Sequence, residues 1–156
     1  MVDPFNALSA KEKYLIFKAP YLVAVLIAGA DDNIDLKENE SALLNLTFNY
    51  QTFVNEPRLD SFYEEVTNHF VEKLTAMIKS MPPMAKNRNP LIAAELEKLN
   101  EILPKIESNF AFLYYESLLN LALEVAKASG GFMGIGSISP EENVWIKLEM
   151  IQKPKR

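Results

Sequence analysis

The chain has 156 residues, a formal net charge of −5 and 49% apolar residues. That length allows one domain with a substantial buried core. The negative charge argues against a sequence-independent nucleic-acid binder, which needs a basic face to displace counterions. The basic clusters Lys86-Asn87-Arg88 and Lys153-Pro154-Lys155-Arg156 read as solvated loop and tail, so no nucleic-acid partner is expected. Cysteine is absent, which excludes disulfides, thiolate zinc sites and cysteine nucleophiles and fits a reducing compartment. The N-terminus shows no basic region followed by an apolar one, so no secretory signal is expected. The longest apolar run, Pro20 to Ala30, has eleven residues, against about 20 for a membrane span. No transmembrane segment and a cytoplasmic location are therefore expected.

Ser9-Ala10-Lys11-Glu12 is a capping box, and a first helix should follow it to about Ala19. Pro20 either kinks this helix or sits in the first turn of a new one. Tyr21 to Ala28 is apolar on every face and reads as a buried helix, because the chain offers no strand of comparable length to pair with it. That helix should end between Gly29 and Asp32. Asp35-Leu36-Lys37-Glu38 repeats the cap logic and opens a second helix to about Tyr50. After the break at Asn55-Glu56-Pro57, apolar residues from Leu59 to Met81 recur at steps of three and four. That spacing predicts one long amphipathic helix, with His69 at the edge of its apolar stripe in a packing role.

Met81-Pro82-Pro83 ends that helix, and residues 84–89 read as a polar, mobile loop. Asn89-Pro90 looks like a cap followed by a first-turn proline, opening a helix that Pro104 breaks. From Lys105 to Ser129 runs the most apolar long segment. Glu116, Asn120, Glu124 and Lys127 form its one narrow polar stripe, and the aromatics Phe110, Phe112, Tyr114 and Tyr115 belong to the core. This helix should be the partner of Tyr21–Ala28. Four of the five glycines fall in residues 130–137. They follow a helix and lack Walker or dinucleotide spacing, so the loop reads as a helix C-cap rather than a phosphate cradle. Ser139-Pro140-Glu141-Glu142 caps a last helix carrying Val144, Trp145, Leu148 and Ile151, and residues 154–156 form a basic tail.

Two corners echo each other. Residues 27–39 and 125–143 both read as buried helix, turn, one isoleucine (Ile34 or Ile138), capping residue, helix. The reading is an all-α, single-domain bundle of about six to seven helices, residues 1–156, with two pseudo-symmetric helix-loop-helix corners.

The first corner holds the candidate site. Asp31, Asp32, Asp35 and Glu38 place four carboxylates within eight residues, and hard cations such as calcium or magnesium take oxygen ligands. Ile34-Asp35-x-x-Glu38 copies the last five positions of an EF-hand loop. The first and third ligand positions, however, fall on Ile27 and Gly29, and the turn glycine on Asp32, which excludes a standard EF-hand. The alternative is a solvated turn in which Asp35 and Glu38 cap a helix. Asp31 and Asp32 follow a helix C-terminus, where negative charge costs roughly 0.3–1 kcal/mol each. Either a basic side chain or a metal is expected to offset them.

Ala28-Gly29-Ala30-Asp31-Asp32-Asn33-Ile34-Asp35-x-x-Glu38 resembles the signature of TerB-like domains, the tellurite-resistance protein B group. Ala126 to Gly134, followed by Ile138-Ser139-x-x-Glu142, is similar to the second half of that pattern. Asp32 departs from it, standing where the family usually has glycine, and the second loop lacks acids. The resemblance implies an all-helical fold of two related halves, divalent-cation binding at the acidic corner, and a stress-response or protein-interaction role with no known reaction. The expected function is a non-enzymatic module with an unidentified protein partner. The alternative is a metal-dependent hydrolase using the carboxylates of the same corner.

Overall fold

The computed structural model describes residues 3–29, 40–45, 55–129 and 144–155. Its helices are α1 (Ala10–Ala28), α2 (Pro57–Thr67), α3 (Phe70–Lys79), α4 (Ala85–Glu97), α5 (Leu99–Ile102) and α6 (Ser108–Ser129), with a 3-10 turn at Leu103–Lys105. Residues 40–45 are also helical. Among the described residues there is no strand, and the fold is an all-helical bundle. None of the described helices is long and apolar enough to cross a membrane.

The capping box forms as expected. The Ser9 hydroxyl accepts from the Glu12 N–H at 3.1 Å, and the Glu12 carboxylate accepts from the Ser9 N–H at 2.9 Å. Lys105 reaches the same carboxylate at 2.6 Å, and this hydrogen bond is the first cause holding the Glu12 pKa below its ordinary value. From this cap α1 runs unbroken to its cap residue Gly29, with Pro20 inside it. Every residue from Ala19 to Ala28 is buried. The apolar run is thus the core helix the sequence indicates, and α6 packs along it more extensively than any other pair of described elements.

An interior proline removes one helical donor, leaving the carbonyl four residues earlier without its partner. For Pro20 that carbonyl belongs to Ile16, which is fully buried. The Tyr114 hydroxyl, from α6, donates to it at 2.8 Å. Burial also pushes the Tyr114 phenol well above its usual pKa, so it stays a donor at neutral pH. A second tyrosine acts in the same way. Tyr21 donates to the Val66 carbonyl at 2.5 Å, one of the four C-terminal carbonyls of α2 that lack helical partners. Ser117 donates to the Tyr114 carbonyl, so the Tyr63 hydroxyl donates to Ser117 at 2.6 Å.

The single helix expected over 59–81 is in fact two. The chain breaks at Asn68 and His69, and His69 adopts a left-handed φ of 58°. Thr67, Asn68 and His69 are consecutive poor helix formers, and histidine tolerates this region better than a β-branched residue. His69 is not a packing residue: its side chain is 62% exposed, 3.4 Å from Glu72. The loop expected at 84–89 is also absent. Helix α4 starts at Ala85, contains Pro90 in its interior, and buries Arg88 and Asn89. Ala85, Arg88, Asn89, Ile92 and Leu96 recur at helical spacing and form one buried stripe.

At the other end, residues 144–155 form turns and not the expected helix, with Leu148 at φ 47° and fully buried. Asn100 clips this segment, donating to the Met150 carbonyl and accepting from the Gln152 N–H. The N-terminal turn contributes Phe5, whose ring lies edge-on to Phe17, Phe62 and Phe110. On α6 the polar stripe is as expected, with Asn120 and Lys127 exposed and Glu116 and Glu124 half-buried.

Tyr114→Phe should lower unfolding stability in urea by about 1–3 kcal/mol, the cost of a buried unpaired acceptor. In a Pro20→Ala background the restored N–H can serve Ile16, so the same change should cost markedly less. Equal costs in the two backgrounds would refute the pairing of Tyr114 with the proline gap. Burial, then the charge of Glu65, pushes the Tyr21 phenol up to about 12 from 10.0. A raised folded pKa means the unfolded chain releases its proton first. The stabilisation is therefore whole below pH 10 and is lost as pH rises to about 12. Tyr21→Phe should make the fall of stability over that window shallower.

Candidate functional site

Asp31, Asp32, Asp35 and Glu38 lie outside the described residues, as do the glycine-rich loop at 130–137, the pair Glu141-Glu142 and the matching isoleucines Ile34 and Ile138 of the two corners. What is described is the edge of the acidic corner, the C-terminal end of α1. There the Gly29 N–H donates back to the Val25 carbonyl at 2.8 Å. The Gly29 carbonyl accepts from the Arg88 guanidinium at 2.5 Å, and Arg88 also donates to the Pro83 carbonyl at 3.0 Å.

Arg88 is 2% exposed. It was expected on a solvated loop, yet helix α4 carries it inward on the stripe with Asn89 and Ile92. A cation at a helix C-terminus is favourable because the partial negative charges of the terminal carbonyls collect there. The close fit also explains Gly29. A Cβ at that position would fall 2.3 Å from the Arg88 guanidinium and 2.8 Å from the Val25 carbonyl. Arg88 could have been found from sequence by extending the stripe of Ile92 and Leu96 back by four and three residues to Arg88 and Ala85.

Among the described residues no three His, Cys, Asp or Glu side chains come close enough to hold a metal ion. Two of the acids that are placed cap helices. The Glu56 carboxylate accepts from the Arg58 N–H at the start of α2, and that of Glu107 accepts from Asn109 and Phe110 at the start of α6. Arg58 bridges the two, at 3.0 Å to Glu56 and 3.1 Å to Glu107, above the ring of Phe110. Its hydrogen bond is the main cause holding the Glu56 pKa down. Asp60 is pushed up by burial and then by the charges of Glu56 and Glu64. Each carboxylate at a helix start also meets the positive end of that helix.

The other notable surface lies on α1. Tyr14 is 68% exposed, and an open groove runs on each side of it. One, about 620 Å³, lies between the N-terminal turn, α1 and α2, and includes Phe5, Phe17, Arg58 and Glu65. The other, about 510 Å³, lies between α1 and α3, with Tyr21 at its floor and Met77 and Met81 in its wall. Sequence periodicity does not reveal these grooves, since the apolar spacing of α1 and α3 reads as core throughout.

Comparison with family models, curated proteins and solved structures finds no match to this chain.

Arg88→Lys should destabilise the fold, because one ammonium cannot hold two separated carbonyls as the planar guanidinium does. A loss of about 1.5–3 kcal/mol in urea unfolding is expected, as for one hydrogen bond to a charged group. Unchanged stability would show that the arginine does not secure the end of α1.

Proposed function

We propose that this protein is a non-enzymatic, TerB-like helical module that acts by binding another protein, in a cytoplasmic stress-response role. The observation that carries the interaction reading is the exposed Tyr14 between two open, largely apolar grooves. Apolar surface collected in one place and rimmed by charge marks a contact site more often than a chance exposure does. Tyrosine and methionine are well suited to such a site, one as a rigid amphipathic anchor and the other as an adaptable filler.

Divalent-cation binding at Asp31, Asp32, Asp35 and Glu38 is a secondary part of the proposal. Carboxylate oxygens are the donors that calcium or magnesium takes. Arg88 weighs on the affinity. Its guanidinium binds the Gly29 carbonyl, two residues before Asp31 in the chain, and so offers the corner a positive charge without any metal. A divalent ion there binds against that charge, so its affinity is weak.

Three measurements test the reading. Calorimetric titration with calcium, magnesium and manganese should give weak heats that Asp35→Asn and Glu38→Gln abolish. The absence of both heat and any change in melting temperature removes the cation from the proposal. A photo-crosslinking amino acid at position 14 should trap a discrete protein adduct in the source cell, and the same group at position 127 should not. Magnesium-dependent turnover of a phosphoester, lost in the two carboxylate variants, would replace the module by a hydrolase.

A further inference from the structure

We infer that the groove between α1 and α3 receives an acidic amphipathic helix from a partner protein. The inference rests on the interaction-module reading and names the chemistry of the partner. Two helices form the walls, and the floor is the ring of Tyr21, 6% exposed and held by its bond to Val66. Phe17, Met77 and Met81 supply the apolar lining. Such a trough takes the side chains that a helix presents at positions i, i+3, i+4 and i+7.

The charge of the groove selects the partner. The chain carries −5 overall, yet among the described residues lining this groove the only charged ones are Lys18 and Lys73. They come from opposite walls, one on α1 and one on α3. Lys73 is exposed and makes no ion pair among the described residues. Lys18 is 3.8 Å from Glu95 and 5.8 Å from the Tyr14 ring centroid, which holds it at the rim. A helix with an apolar face flanked by Glu or Asp meets complementary charge at Lys73, and at Lys18 by sharing it with Glu95, and this complementarity sets partner choice and encounter rate. A second copy offering the same groove would bring lysine against lysine, which disfavours a symmetric pair.

The test uses two synthetic peptides of about five helical turns. They share one Leu/Phe face and differ only in flanking residues, Glu in one and Lys in the other. Fluorescence anisotropy with the full chain should show the Glu peptide binding at least about tenfold more tightly, a difference of about 1.4 kcal/mol, and the gap should shrink at high salt. Lys73→Glu, at an exposed position that leaves the fold intact, should remove most of the preference, and Tyr14→Ala should weaken both peptides. Circular dichroism confirms that each variant is folded, and Lys73→Gln gives a milder version of the same test. Equal affinity for the two peptides, or a preference unmoved by both Lys73 variants, overturns the inference. So does binding of dodecanoate in the groove with neither peptide bound. In each of those cases the crosslink at position 14 still reports on the broader interaction reading.

Discussion

The bundle depends on a hydrogen bond between its two central helices. Helix α1 is buried along its second half and carries a proline just where that burial begins. In water the carbonyl freed by Pro20 would find a partner at no cost. In the core it must be given one, or the chain pays the desolvation penalty of a bare acceptor. Tyr114 supplies the donor from α6. The bond therefore does more than pack two helices together. It fixes their relative position, because a phenol hydroxyl at the end of a rigid ring reaches one carbonyl and not its neighbours along the helix.

The same solution recurs at the break between α2 and α3. The break at Asn68 and His69 frees carbonyls at the end of α2, and Tyr21 takes that of Val66. Tyr63 and Ser117 tie α2 to α6 through a hydroxyl pair. Three tyrosines thus combine large apolar bodies with one polar atom each, two of them aimed at a carbonyl the helix does not serve and the third at a buried hydroxyl. At the outer end, Arg58 does comparable work with charge. It joins the capping carboxylates of two helix starts, Glu56 and Glu107, so α2 and α6 are anchored to one another at the ends where each needs an anion.

The legibility of the sequence follows from these interactions. The all-helical class, the capping box at Ser9, the buried helix of Tyr21–Ala28 and its pairing with α6 rest on local pattern, and local pattern is visible in one dimension. Pro20 is ambiguous in sequence because the hydroxyl that serves the carbonyl it frees lies 98 residues from Ile16. The break at His69 was hidden because apolar spacing of three and four continues across it, while backbone conformation changes at one residue. Arg88 is hidden for the opposite reason: a charged residue between prolines resembles a loop, and only its position on the stripe of α4 shows that it turns inward. Of the candidate site, the acidic corner is a statement about composition, and its four carboxylates lie outside the described residues.

Arg88 bears most directly on that corner. The sequence poses a charge problem at the end of α1: aspartates follow a helix C-terminus, where the carbonyl dipoles already concentrate negative potential. A basic side chain or a metal resolves it in principle, and the two have different consequences. A metal would make the corner a sensor whose state varies with ion concentration. A buried arginine is charged at all physiological pH values and is fixed by two carbonyls, so its contribution is constant. The guanidinium of Arg88 on Gly29 belongs to the second kind. It weakens the argument that the corner requires a metal for its charge, and any response to a cation must come from what an ion adds beyond it. The Tyr14 face poses a different problem. There an exposed ring and two open grooves lie where no described part of the bundle covers them.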